Sequence, residues 1–195
     1  MMGGVIIPGL VEATLESLEL KKGFDPNILL DVNQAVKELI IGEINAYDYC
    51  CLVIERTGSI ISVDDLLKSI PMKATISTMM ISLLEQLSNH YSLRLISDYP
   101  HQWLELIAKY TGLTRFFSED KILILAEKNI SNTNKSLIDF LVVNNMLIAG
   151  SSYWIDYNSL RTSQALRQGI DAYQYVDTPR MQHELGLRKL IPLER

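Results

Sequence analysis

The stretch from Ser92 to Pro100 constrains the fold more than any other part of the chain. Its centre is mostly apolar (Leu-Arg-Leu-Ile), and it stops abruptly at Ser-Asp-Tyr-Pro before a helical pattern from His101 to Tyr110. A buried strand that ends at a small hydroxyl residue and leads into a helix is typical of the crossover unit of a parallel sheet. Ligands of such sheets bind at the carboxyl ends of the strands, so Ser97 is a candidate site residue. Alternatively, Ser97 and Asp98 cap the following helix.

The patterns on the two sides of this stretch differ. Between residues 25 and 70 the apolar spacing and the capping residues, among them Asn45 and Ser62, predict consecutive short helices without a strand. The last of these helices is predicted to end at Ile70-Pro71. After Ser97, strand and helix patterns alternate, which predicts a parallel sheet covered on both faces. The predicted strands are Leu93–Ser97, Ile122–Leu125, Tyr153–Asp156 and Ala172–Val176, and the helices between the later strands are Ser136–Asn144 and Ser159–Gln168.

Composition excludes several classes of function. The chain has 195 residues, a net charge of -5 and no basic stripe, so we do not expect it to bind nucleic acid. Its apolar runs are too short to span a bilayer, and its start does not have the pattern of a signal peptide, so no membrane association is predicted. Cys50 and Cys51 are adjacent and are the only cysteines, which indicates reduced thiols and a cytoplasmic protein. The three histidines lack ligand spacing, so a metal site built on histidine is not expected.

Three segments of the chain, taken in sequence order, resemble the motifs of a known protein family. Gly3–Ile6 resembles the end of a first motif, Leu95–Asp98 a second, and Ile155–Asn158 with the helix that follows it a fourth. Together they resemble the haloacid dehalogenase (HAD) superfamily, in its branch with a small helical cap. The resemblance implies an α/β fold, with a Rossmann-like, doubly wound parallel sheet and the cap inserted after the first strand. It places the core at residues 1–14 and 86–195, and the cap with its return helix at residues 15–85.

The resemblance also implies a chemistry, namely phosphoryl transfer to an aspartate. A second acid protonates the leaving oxygen, a hydroxyl and a lysine hold the phosphate, and carboxylates hold Mg²⁺. In this chain the position of the nucleophile falls on Met1, whose thioether cannot attack phosphorus, and that of the second acid falls on Gly3. No catalytic residue is therefore predicted.

The phosphate-binding positions are only partly kept. The hydroxyl falls on Ser97, whereas the lysine falls on Asn132, with Lys128 and Lys135 as the nearest amines. These four residues are the phosphate-binding candidates. The missing charges matter because a transferring phosphoryl group needs positive charge on its equatorial oxygens.

The metal position keeps one acid of two. The magnesium pair falls on Asp156 and Tyr157, so Asp156 alone is a weak candidate metal ligand. Alternatively, Asp156 caps a helix or accepts hydrogen bonds from a nearby loop. Because Ser97 and Asp156 both end strands on the carboxyl side of the sheet, we expect them to lie close together.

Two functional hypotheses follow. The first is a catalytically impaired or inactive HAD-like hydrolase homologue that serves as a binding or scaffold protein, without a cofactor and with a protein partner or a second copy of itself. The alternative is an active Mg²⁺-dependent phosphatase of a small phosphate ester, with a misassigned or truncated N-terminus and an amine from Lys128 or Lys135. Dehalogenation is a weaker third choice because it requires the same aspartate. A displaced start would explain Met1 but not Asn132 or Tyr157.

Overall fold

The first half of the structure is helical. The computed structural model describes residues 4–18, 26–128 and 136–192. Before the first described strand lie five helices: α1 Leu10–Ser17, α2 Pro26–Ile40, α3 Ala46–Thr57, α4 Val63–Lys73 and α5 Thr78–Ser88. Helix α1 packs on α2 and α4, and α3 packs on both α2 and α4. The strand-free character predicted for residues 25–70 is thus observed in the described part of that range.

Local capping residues define where two of these helices begin. The side chain of Asn45 accepts hydrogen bonds from the backbone amides of Tyr47 and Asp48 at the start of α3. At the start of α4, the hydroxyl of Ser62 accepts from the amide of Asp65 at 3.1 Å and donates to its carboxylate at 2.6 Å. Both caps satisfy amides that lack an intrahelical partner, as the sequence predicted.

Helix α4 does not end at Ile70-Pro71, and that prediction is wrong. The helix passes through Pro71 and ends at Lys73. A proline inside a helix leaves the carbonyl four residues earlier without its donor. Here that carbonyl belongs to Leu67, and it accepts a hydrogen bond from the indole Nε1 of Trp103 at 3.0 Å. A tertiary contact thus satisfies the group that the proline leaves open.

The second half alternates strands and helices. The main elements are β1 Leu95–Ser97, α6 His101–Thr111, β2 Ile122–Ile124, α7 Ser136–Val143, β3 Tyr153–Asp156, α8 Ser159–Arg167, β4 Asp171–Gln174 and α9 Thr178–Leu187. Short 3₁₀ helices occupy Leu113–Arg115, Glu119–Lys121 and Ala126–Lys128. Strand β1 pairs with β2, and β3 pairs with β4, both in parallel. The predicted α/β class with parallel strands is confirmed.

Among the described residues, the hydrogen bonds between strands do not form one continuous sheet. Within residues 4–18, 26–128 and 136–192 the strands form two separate pairs, with Ser97 opposite Ile124 and Asp156 opposite Gln174. Gly4 begins a turn at φ +83°, and its amide donates to the carbonyl of Ile7 at 2.8 Å.

Aromatic packing joins the two halves. The Trp103 ring of α6 lies edge-on to Tyr49 of α3, with centroids 5.9 Å apart, and to Tyr99, with centroids 6.4 Å apart. The Tyr49 hydroxyl lies 2.7 Å from the hydroxyl of Thr14, which donates to the carbonyl of Leu10. All of the polar atoms named here have partners, as buried groups require. Across the described ranges, the helices are too short or too polar to span a membrane.

Candidate functional site

Ser97 ends β1 and is fully buried. Its Oγ accepts a hydrogen bond from the amide of Tyr99 at 3.1 Å and donates to the Tyr99 carbonyl at 3.3 Å. The hydroxyl thus closes a local turn. It does not cap helix α6, whose N-cap is Pro100 without a side-chain hydrogen bond, so the capping alternative is wrong.

Asp156 ends β3 and is also fully buried. Its Oδ2 lies 2.6 Å from Nε of Arg161, and its Oδ1 lies 3.0 Å from Nη2 of the same guanidinium. Oδ1 also accepts from the backbone amide of Asn158 at 3.0 Å. A bidentate, charge-assisted pair of this kind is among the strongest hydrogen-bonded arrangements in proteins. Asn158, not Asp156, caps α8, so Asp156 is not a helix cap. The other alternative is observed, because Asp156 accepts a hydrogen bond from the loop amide of Asn158.

Arg161 was not predicted as a site residue, although its position in the sequence indicates a buried ion pair. It lies in the first turn of α8, where the helix dipole disfavours a positive charge. Its side chain is only 2% exposed, so the charge needs a carboxylate nearby. An arginine at this place, five residues after an acid that ends a strand, therefore predicts the ion pair with Asp156.

Asp98 also lies in the site, although the sequence predicted it only as a possible helix cap. It is 4% exposed, and its Oδ1 has no hydrogen-bond partner in the part of the chain that the structure describes. Burial raises the pKa of Asp98, and the nearby charges of Arg161 and Asp156 act on this pKa in opposite directions. The site thus shifts this carboxyl group towards its neutral form.

A cavity of about 580 Å³ lies where the ends of β1 and β3 meet helices α1 and α2. Asp98, Tyr157 and Arg161 line it from the strand side. The Tyr157 ring lies against Gly4, where an added Cβ would come within 2.6 Å of the ring, and the Arg161 guanidinium lies 5.7 Å from the ring centroid. The residues that follow Ser97 and Asp156 thus line one cavity.

Solved structures with a similar architecture include HAD-family enzymes. A HAD-family enzyme from Bacteroides thetaiotaomicron superimposes with a TM-score of 0.65 at 17% identity, covering 89% of this chain and 90% of that one. A predicted HAD-like hydrolase from Porphyromonas gingivalis gives 0.66 at 14% identity, with 94% of each chain covered. L-2-haloacid dehalogenase from Xanthobacter autotrophicus, with chloropropionic acid covalently bound, gives 0.61 at 12% identity, covering 97% and 82%.

The chain has the HAD-like fold. No protein-family model and no curated protein matches its sequence. The Bacteroides enzyme was also solved in complex with magnesium and inorganic phosphate.

Several positions that the HAD resemblance selected lie outside the described residues. They are Met1, Gly3, Asn132 and Lys135. Lys128 is described only by its backbone, at the end of a 3₁₀ helix. Their predicted roles therefore stay predictions.

The described residues do not fit Mg²⁺. Magnesium in proteins is held by carboxylates together with water and phosphate. Both oxygens of Asp156 accept hydrogen bonds from a guanidinium, and burial raises the pKa of Asp98, which disfavours its carboxylate form. Over residues 4–18, 26–128 and 136–192, no three His, Cys, Asp or Glu side chains are grouped to hold a metal ion.

Proposed function

We propose that this chain is a catalytically impaired HAD-like protein that acts by binding, as a binding or scaffold protein, rather than by phosphoryl transfer. The observation that carries the proposal is the bidentate pair of Arg161 with Asp156. In a metal-dependent site, this carboxylate would have to contact the ion. Here the guanidinium supplies the neutralising charge from within the chain, at distances of 2.6 and 3.0 Å.

The surrounding positions support the same proposal. Met1 and Tyr157 offer no carboxylate where the resemblance places a nucleophile and a second metal ligand, and Asn132 offers no positive charge for a phosphate dianion. The Ser97 hydroxyl both accepts from and donates to its own turn. Each missing charge-assisted contact would ordinarily contribute roughly 1.5–3 kcal/mol to holding the phosphate.

Two observations favour the alternative, a Mg²⁺-dependent phosphatase of a small phosphate ester. A structural neighbour was solved with magnesium and inorganic phosphate, and Ser97 occupies the carboxyl end of its strand. Under this alternative the cofactor would be Mg²⁺ and the ligand a small phosphorylated molecule. Under the preferred proposal there is no cofactor, and the partner is a protein or a second copy of the chain.

Two features of the proposal come from the sequence. The free thiols Cys50 and Cys51 support a cytoplasmic location. The run of helices up to Ser88 supports a cap over residues 15–85, between core segments 1–14 and 86–195.

A phosphate-ester panel with MgCl₂ tests the proposal. We expect no turnover above the rate of an Asp156→Ala variant, and no saturable heat of Mg²⁺ binding at millimolar concentration, alone or with a fluoro-metal phosphate mimic. Turnover or saturable binding that is lost in Asp156→Ala would instead establish the phosphatase.

A further inference from the structure

The cavity has the size of a small-molecule site. Its volume of about 580 Å³ falls within the range of roughly 300–1,000 Å³ that is typical of ligand pockets. It lies beside the Arg161–Asp156 pair, and the chemistry of its walls indicates what it holds.

The two walls of the cavity differ in polarity. Helices α1 and α2 contribute apolar side chains, which are Leu10, Val11, Leu29, Val36 and Ile40. The strand side contributes polar groups, among them Asp98, Tyr157 and Asn158. A pocket with one apolar and one polar wall suits a ligand with an apolar chain and a polar end.

Among the described residues, the polar wall has one buried side-chain oxygen without a hydrogen bond, Oδ1 of Asp98. The Arg161 guanidinium is engaged by Asp156, and the Asn158 side-chain oxygen accepts from the Arg161 amide at 3.1 Å. Asp98, in contrast, keeps Oδ1 without a partner in the described residues while the residue is 4% exposed. A buried acceptor without a donor raises the free energy of the folded state, so a ligand that donates to it is favoured.

The charges that line the cavity distinguish a cation from an anion. The acids are Asp98 on the buried wall and Glu12 on an exposed part of α1, while the lysine is the exposed Lys37. Arg161 also acts electrostatically on Asp98, but Asp156 already engages its guanidinium. Among the described lining residues an anion would therefore meet two acids and the exposed Lys37, whereas an ammonium group would supply both a donor and a positive charge to Asp98.

We propose that this cavity binds a small aliphatic primary amine, with its ammonium group on Asp98 and its chain against α1 and α2. The inference rests on the proposed binding function and names its ligand class. Because burial raises the pKa of Asp98, an ammonium group beside it would stabilise the ionised form of this carboxyl group.

Calorimetric titration of the full chain with n-hexylamine tests the inference, with n-hexanol and inorganic phosphate as comparison ligands. We expect saturable binding of the amine and weaker or no binding of the other two. Asp98→Asn should weaken amine binding by about tenfold or more, because it removes a charge-assisted hydrogen bond. Asp64→Asn, an exposed acid outside the cavity, should leave the affinity unchanged.

A second pair of variants tests the cavity while leaving Asp98 unchanged. Leu29 lines the cavity and is 38% exposed, while its neighbour Leu30 is 66% exposed and does not line it. Leu29→Lys should weaken amine binding by charge repulsion, and Leu30→Lys should not. Equal binding of hexanol, binding unaffected by Asp98→Asn, or no amine binding by a folded wild-type chain would overturn the inference. None of these results bears on phosphatase turnover, which tests the proposed function separately.

Discussion

Replacing Arg161 with methionine would leave the Asp156 carboxylate buried without its counter-ion. The pair is 2% and 0% exposed, and the guanidinium supplies two of the three hydrogen bonds that the Asp156 carboxylate receives from the described residues. Removing one partner of a buried pair costs roughly 3–5 kcal/mol. Because the Asn158 amide still donates to Oδ1, we expect the lower end, about 3 kcal/mol.

Urea denaturation at neutral pH measures the loss of unfolding free energy in Arg161→Met, and two further variants show whether the loss comes from the unpaired charge. In Asp156→Leu combined with Arg161→Met, apolar side chains replace both charges, so we expect a stability close to that of the wild type. The difference between the single and double variants then reports the coupling. Arg180→Met is the matched control, since Arg180 pairs with Asp177 at 3.4 Å while 70% exposed and should cost less than about 1 kcal/mol.

A loss below about 1 kcal/mol in Arg161→Met would contradict this reasoning. It would mean that water or another cation reaches Asp156 easily. In that case Asp156 would be available to a metal ion, and the main support for catalytic impairment would be lost.

Three further predictions concern single side chains. Burial raises the pKa of Asp98 in the folded state above its unfolded value of about 3.9, so Asp98 lowers the stability of the fold as the pH rises through this range. In urea denaturation, Asp98→Asn should therefore be more stable than the wild type at pH 7 and should lose this advantage at lower pH. Burial raises the pKa of the Cys50 thiol to about 12, so the folded chain should show one fast-reacting thiol at pH 8, the half-buried Cys51, and two in urea. Ser62→Ala should cost about 1 kcal/mol of unfolding free energy in urea, since it removes the cap of α4.

The periodicities in the sequence predicted most elements because each signal is local. The strand Tyr153–Asp156 is observed with the predicted bounds, and α3 begins at Ala46, directly after its predicted cap. The errors occur where distant contacts decide. Pro71 stays inside α4 because Trp103, more than thirty residues later, donates to the carbonyl that the proline leaves open. Helix α9 was not predicted, although Asp177 and the proline after Thr178 mark its start.

The candidate site was predictable in position but not in chemistry. Parallel strands place their carboxyl ends together, so Ser97 and Asp156 could be assigned to one region from the sequence. What their side chains contact depends on the neighbouring turns. Ser97 bonds to its own turn, and Asp156 bonds to an arginine five residues later. The cavity could not be predicted because it requires α1 and α2 to lie over the strand ends.

The two buried acids of this site are neutralised in different ways, and the difference indicates which of them serves a ligand. Asp156 has a permanent counter-ion in Arg161, so its charge is satisfied within the chain. Asp98 has no such ion pair among the described residues, and burial raises its pKa, although an asparagine would fit the same space without the penalty for burying a charge. Residues that reduce stability and satisfy no contact inside the folded chain are characteristic of functional sites. If Asp98→Asn raises stability at neutral pH while it weakens amine binding, the same carboxyl group explains both effects. If it changes neither, Asp98 is only a buried neutral acid, and the cavity has no polar anchor for a cation.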